Sequence, residues 1–267
     1  MIPQKRGSVH KTYKNYHAMN RRFRLQIIIL TGLLATGFYG HCIAQETSKE
    51  VWPELDVWYR VSPAWRFSAF IPFSQNLETN YREGSFLIQG DYSWGKPRRI
   101  IFMRLLDAQA AEQLKNRLTR FGYSGGRSLD DDGEAYSEKT AILEQHFRIP
   151  TKRNFLITQR LRADLRWLGS DHDFSERFRY RIMIEKEYKA KKVSFVPYSS
   201  AEAYYDSRYN TVNRFRLIAG SSVSWSRHYA FEANYTYQHD TRSSVTNLHA
   251  LNLIAHLYFQ SKSSLKK

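Results

Sequence analysis

Arginines fall on one side of the stretch from residue 155 to 178 and an apolar row falls on the other. Arg160, Arg162 and Arg166 share a side with Asp164, against Phe155, Ile157, Leu161, Leu165 and Trp167. The neighbouring stretches repeat the pattern. Glu144, His146 and Arg148 share a face before it, and Arg177, Arg179, Arg181, Glu185 and Glu187 follow it. Glu202, then Arg214 and Arg216, then Glu232 continue the series. A guanidinium is a planar fork that can hold several carboxylates, or an anionic solute, at once. Two meanings are open for such a cluster. One is a lining of interlocked ion pairs, and the other is a cation-rich constriction for small anionic solutes or a seat for an anionic headgroup.

The remaining chemistry-bearing residues form no comparable group. His146, His228, His239, His249 and His256 lie in extended stretches and His172 in a loop, with no serine in a recognisable nucleophile motif beside any of them. Ser243 and Ser244, between His239 and His249, come nearest to a catalytic arrangement. Asp130, Asp131, Asp132 and Glu134 could gather oxygens around calcium, but their spacing is not that of a helical-hairpin loop, and runs of charge in long loops are usually solvated. Glycine-rich phosphate loops, paired cysteines and His-x-x-x-His are absent from the sequence. The expectation is therefore no enzyme, no cofactor and no metal site.

The elements that carry the charged rows are read from two-residue alternation. It predicts strands at about 54–61, 64–75, 84–94, 98–107, 116–125, 135–149, 153–167, 173–188, 193–206, 213–225, 228–239 and 246–259. Many exceed ten residues, close to what a tilted strand needs to cross a bilayer. No run of 18 apolar residues follows Ala44, so the chain is not expected to cross a membrane by helices. Connections in the second half alternate between short (150–152, 190–192, 226–227) and longer (169–172, 207–212, 240–245), the rhythm of periplasmic turns and outer loops. In the first half that rhythm fails, because the turn at Ser62 and Pro63 is short where an outer loop is due. The stretch 98–125 is the weakest part of the strand map, and 108–115 could form a short helix.

Residues 1–44 read as a signal peptide. Seven Lys or Arg without an acid precede an apolar stretch from Leu25 to Ala44, and a start at Met19 gives a more ordinary leader. Removing its seven positive charges from the formal +16 leaves +9 on a single domain, 45–267, without cysteine. Nucleic-acid binding loses most of its compositional support. Aromatics make up 15% of the chain. Trp58, Trp65, Trp94, Trp167, Tyr188, Trp225 and Tyr258 lie near predicted strand ends, where interfacial girdles would place them. Leu251, Leu253, Ala255, Leu257 and Phe259 form a final apolar row ending on an aromatic, followed by a polar tail.

The run 159–166, Gln-Arg-Leu-Arg-Ala-Asp-Leu-Arg, followed by Arg177, Phe178, Arg179, Tyr180 and Arg181, resembles the signature of domain-of-unknown-function family 2490, small secreted barrels common in Bacteroidetes. Trp52, Pro53, Glu54 and Leu55, and later Pro197, Tyr198 and Glu202, fit the same pattern, while the acidic loop 130–134 and the region 98–125 depart from it. The resemblance implies an outer-membrane barrel and brings no catalytic residues.

The expected protein is an all-β, antiparallel up-and-down transmembrane barrel of about twelve strands, with ten or fourteen as alternatives. It would lie in the outer membrane of a Gram-negative bacterium. An arginine on a lipid face would cost about 2–4 kcal/mol at the midplane, so the charged rows should face a largely plugged lumen. The role is structural or a narrow passage for anionic solutes. The expected partners are outer-membrane lipid, the barrel-assembly machinery and a small anionic solute, with no nucleic acid. The rivals are a soluble periplasmic ligand-binding barrel and an outer-membrane lipid-modifying enzyme using His239, His249 or His256.

Overall fold

Alternating polar and apolar residues, with β-branched and aromatic side chains on the apolar positions, favour extended chain with two unlike faces. The computed structural model describes residues 46–79, 81–97, 115–129, 137–151, 155–169, 172–190, 193–226 and 228–261. They form β1 (Glu46–Arg60), β2 (Trp65–Asn76), β3 (Arg82–Pro97), β4 (Lys115–Ser128), β5 (Ser137–Pro150) and β6 (Phe155–Leu168). These are followed by β7 (Asp173–Lys186), β8 (Tyr188–Ala190), β9 (Val193–Asp206), β10 (Thr211–Ser224), β11 (Tyr229–Asp240) and β12 (Val245–Gln260).

Each long strand pairs antiparallel with the next, β9 with β10 included, and β12 returns to β1, closing a ring of eleven strands. The short β8 continues the line of β7 after a break at Glu187 and pairs only with β9. Closure leaves no unpaired ring edge, which is how an all-β protein avoids edge-to-edge association. The joining pair is parallel: Glu50 lies beside Ala250 and Arg60 beside Gln260. β1 and β12 therefore run the same way. The end where β1 begins is called the entry end below, and the end where β12 finishes the exit end.

The expected all-β up-and-down barrel is found, with eleven strands in the ring where twelve were counted. Eleven of the twelve predicted strands match those of the ring. The twelfth, at 98–107, lies outside the described residues, as does 108–114, and the ring needs no strand from there because β3 pairs directly with β4, Trp94 against Arg117. An odd ring also accounts for the rhythm that failed in the first half. With β1 parallel to β12, the turn after β1 lies at the exit end, where short turns were expected.

The alternating loop lengths are a correction. Strands run further than predicted at the entry end and stop short at the exit end, leaving 151–154, 169–172, 207–210, 225–228 and 241–244 as connections of four residues at both ends. The physical cause is that the polar residues read as loop, such as Thr211 and Asp240, continue the inward rows. Left-handed residues make two of these turns possible, Gly169 at φ 67° and Asn210 at φ 50°. The leader at 1–44, the acidic run 130–134 and the tail 262–267 fall outside the described residues.

The two faces of the ring differ sharply. Outside lie Ile71, Leu143, Leu161, Phe178, Phe215, Leu217 and Leu251, all exposed. Inside lie buried Arg66, Asp91, Arg120, Glu144, Arg160, Asp164, Glu202 and Glu232. Apolar side chains that are buried gather towards the exit end: Trp58, Phe70, Leu118, Leu156, Val196 and Tyr258. Trp58 and Tyr258 thus belong to the interior, against the expectation that they form an aromatic girdle, because their positions share the inward face with Asp56 and His256. Trp65, Tyr188 and Trp225 do lie exposed near strand ends.

Candidate functional site: a charged lumen

Register decides how the lumen charges meet. β6 and β7 place Arg160 opposite Arg181 and Arg162 opposite Arg179, pairs that would repel if left to themselves. Acids on the flanking strands resolve this, each accepting from several guanidiniums. Arg162 faces Glu144 on β5, and Arg181 faces Glu202 on β9.

From these positions one network spans seven strands. Asp91 accepts from Arg66 and from Arg120, the latter at 2.6 and 3.1 Å. Arg120 reaches on to Glu144 at 3.3 Å. Glu144 also meets Arg160 at 3.4 Å, Arg162 at 3.1 Å and the His146 ring at 2.8 Å. Glu202 accepts from Arg160, from Arg179 at 3.0 Å, from Arg181 at 2.9 Å and from the Tyr204 hydroxyl at 3.0 Å. Asp164 lies between Arg162 and Arg179, 3.5 Å from the latter. Glu202 is 3% exposed, so these charges are satisfied by one another rather than by water.

A second tier lies nearer the entry end. Arg166 holds Glu138 through two bonds of 2.9 and 3.0 Å and reaches Asp206 at 3.1 Å. Arg177 lies 3.6 Å from Asp206, and Arg214 donates to Asp240 at 2.7 Å. In the 207–210 turn, Arg208 bonds Asp206 at 2.8 Å, and that bond raises the pKa of its guanidinium above the ordinary value.

The opposite wall is acidic. Glu54 and Asp56 on β1 and Glu232 on β11 flank His256 on β12, whose Nδ1 is 3.0 Å from Asp56 and Nε2 3.4 Å from Glu232. The Tyr198 hydroxyl donates to Glu232. Below this wall aromatics cluster inside the ring on β1, β2 and β12. Trp58 meets Phe70 edge-on at 5.0 Å and stacks on Tyr258 at 6.5 Å, with the Arg66 guanidinium 4.4 Å above its ring.

Two cavities remain above the aromatic floor. A chamber of about 300 Å³ lies between the arginine wall and the acidic wall. A vestibule of about 480 Å³ is lined from the entry-end half of the strands, by residues such as Glu50, Tyr81, Arg127 and Glu138. Trp52, Glu54, Arg216 and Asn252 line both and so form the neck between them.

The structure gathers most of the residues singled out from sequence. Glu144, His146, Arg160, Arg162, Asp164, Arg179, Arg181 and Glu202 form the central network, and Arg166, Arg177 and Arg214 the entry-end tier. Glu232 stands apart on the acidic wall and Arg216 at the neck. Arg148 and Glu185 are buried towards the exit end. Glu187, at the break between β7 and β8, bonds Ser194 and lies 3.4 Å from Lys189, away from the network.

Arg66, Asp91, Arg120, Asp56, Asp206 and Asp240 complete the lining and were not singled out, and Glu54 and His256, noted from sequence for the family pattern and for an enzymatic rival, join them there. The first strands carry the same alternation, as in Glu54, Asp56, Trp58 and Arg60, and it marks them as inward. Of the other histidines, the His239 ring is 3.0 Å from the Asn247 side chain, and His249 meets Tyr235. Among the described residues no group of three or more His, Cys, Asp or Glu side chains is arranged to hold a metal ion.

Comparison with known proteins gives one family and one notable solved structure. The model of a family described as a protein of unknown function (DUF2490) matches residues 49–249. The crystal structure of the beta domain of the Bordetella autotransporter BrkA is similar over 72% of this chain and 80% of that chain, at 11% identity and a TM-score of 0.41. No curated protein matches.

Proposed function

The chain belongs to the DUF2490 family, and from that premise and the lumen described above we propose that it is an outer-membrane β-barrel whose interior is a closed, self-neutralised cup. The observation that carries this reading is the inverted polarity of the ring. Ile71, Leu143 and Leu161 are 58%, 58% and 51% exposed, while Asp91, Glu144 and Glu202 are 1–3% exposed. In water that arrangement would waste the hydrophobic effect and leave an apolar belt open to aggregation. In a bilayer the belt meets lipid and the charges stay off it.

Dimensions support the same reading. A fourteen-residue strand such as β6 extends about 46 Å and, tilted by about 45°, covers about 33 Å, close to the hydrocarbon thickness. Outer-membrane lipid is then the permanent partner, and the barrel-assembly machinery a transient one that meets the β12 row ending at Phe259. Passage of anionic solutes is set aside in favour of a blind cup, and the buried cluster of Trp58, Phe70 and Tyr258 towards the exit end supports this reading. The reading includes no catalytic role, since the bonds of His239 and His249 go to Asn247 and Tyr235.

Cell fractionation tests the location. The protein is expected with outer membranes after alkaline carbonate extraction, and its gel mobility should shift on boiling in detergent. Release by carbonate without detergent would restore the soluble periplasmic alternative.

A further inference from the structure

The carboxylates of the central network lie behind the guanidiniums that hold them. The Glu144 and Glu202 side chains are 1% and 0% exposed, whereas those of Arg162 and Arg181 keep 14% and 19%. Both arginines line the chamber, so that exposure opens on the cavity. A solute entering there meets N–H groups before it meets a carboxylate.

The two forks are also incompletely used. Arg162 donates through Nε to Asp164 and through Nη1 to Glu144, and Arg181 donates through Nε and Nη2 to Glu202. Arg162 Nη2 and Arg181 Nη1 therefore hold no hydrogen bond among the described residues. The two residues lie diagonally across the β6–β7 pair, their Cα atoms about 7–8 Å apart, a gap that two long side chains can close around one small ligand.

Charge points the same way. Arg160, Arg162, Arg179 and Arg181 share three carboxylates, Glu144, Asp164 and Glu202, and Glu144 serves Arg120 as well. Arg216 adds a further cation on the other side of Glu202, opposite it in the β9–β10 pair. Across the chamber the acids are occupied with their own neighbours: Asp56 and Glu232 flank His256, and Glu54 shares a hydrogen bond with Asp56. The arginine wall thus turns a cationic face to the cavity.

We infer that the chamber binds a small inorganic oxyanion of the phosphate or sulfate class on Arg162 and Arg181. Its oxygens accept from Arg162 Nη2 and Arg181 Nη1, and its charge offsets the guanidinium excess. The chamber has room for about ten water volumes and lies inside the ring, so the ligand is a free solute rather than the headgroup of a membrane lipid. The inference rests on the closed-cup reading, because a blind lumen with an open vestibule holds such a solute rather than conducting it.

The test is calorimetric titration of the folded, detergent-solubilised full chain, in chloride buffer, with inorganic phosphate and with sulfate. Acetate is the single-charge control. Phosphate or sulfate should bind saturably, one per barrel, about tenfold or more tighter than acetate, the difference expected of one further charged hydrogen bond. Arg162→Lys and Arg181→Lys keep the charge beside Glu144 and Glu202 but lose the fork, and each should weaken the binding about tenfold. Lys189→Gln, on an exposed side chain outside the chamber, should leave it unchanged.

Heat-shifted mobility shows which variants are folded, and either lysine variant suffices for the comparison. Absence of saturable binding by both anions, acetate binding as tightly as they do, or unchanged affinity in the folded lysine variants overturns the inference. Open-channel current from the wild-type protein would instead overturn the closed cup and leave the titration result standing.

Discussion

Glu202 gathers three guanidiniums and a phenol on one buried carboxylate, Glu144 three guanidiniums and an imidazole, and Asp91 two guanidiniums. Removing such an acid leaves several buried cations facing one another. Glu202→Gln should therefore lower the stability of the refolded barrel by about 3–5 kcal/mol in urea titration. Arg208→Ala removes a partner whose side chain is 37% exposed, and should cost less than about 1 kcal/mol in the same titration. At this scale the sequence was most readable where arginines recur every second residue, as at Arg160 and Arg162. It was least readable at Asp56, Asp91 and His256, whose strands lack the every-second-residue arginines of β6 and β7. Their partners come from strands up to two hundred residues away in the chain, as with Asp56 and His256, and alternation alone reveals facing but not pairing.

Strands in this ring have two environments separated by one residue. Leu161 on the outer face and Arg162 on the inner face belong to the same turn of the pleat. Leu161→Arg should cost about 2–4 kcal/mol in folding into lipid bilayers if that face meets the hydrocarbon. Folding yields in vesicles, read by heat-shifted mobility, would check this; unchanged folding would argue against a lipid-facing β6. Gly220 on β10 carries a different constraint. A Cβ there would lie 2.3 Å from the Asn234 Cβ across the β10–β11 pair, so Gly220→Ala should destabilise by about 1–3 kcal/mol through overpacking. Strand positions were legible because the alternation is long and regular. The count was not, because 98–107 was read as a twelfth strand while β3 pairs directly with β4, and the short turn at Ser62 and Pro63 was a local sign that the ring is odd.

As a whole the molecule is a soluble protein turned inside out, with its salt bridges inside and its apolar side chains outside. The parallel closure of β1 on β12 follows from the odd ring, and it can be checked by a cysteine pair at Leu55 and Ala255, which lie opposite each other on the outer face. Oxidation should join the two cysteines in the folded barrel and not in the urea-unfolded chain. In the proposed closed cup, the aromatics Trp58, Phe70 and Tyr258 block the exit end of the lumen, and the arginine and acid walls face each other across the chamber. Conductance in planar lipid bilayers tests that account most directly. The wild-type barrel, shown to be inserted, should give no steady open-channel current at moderate voltage. A reproducible ohmic step, of either ion selectivity, would contradict the closed cup.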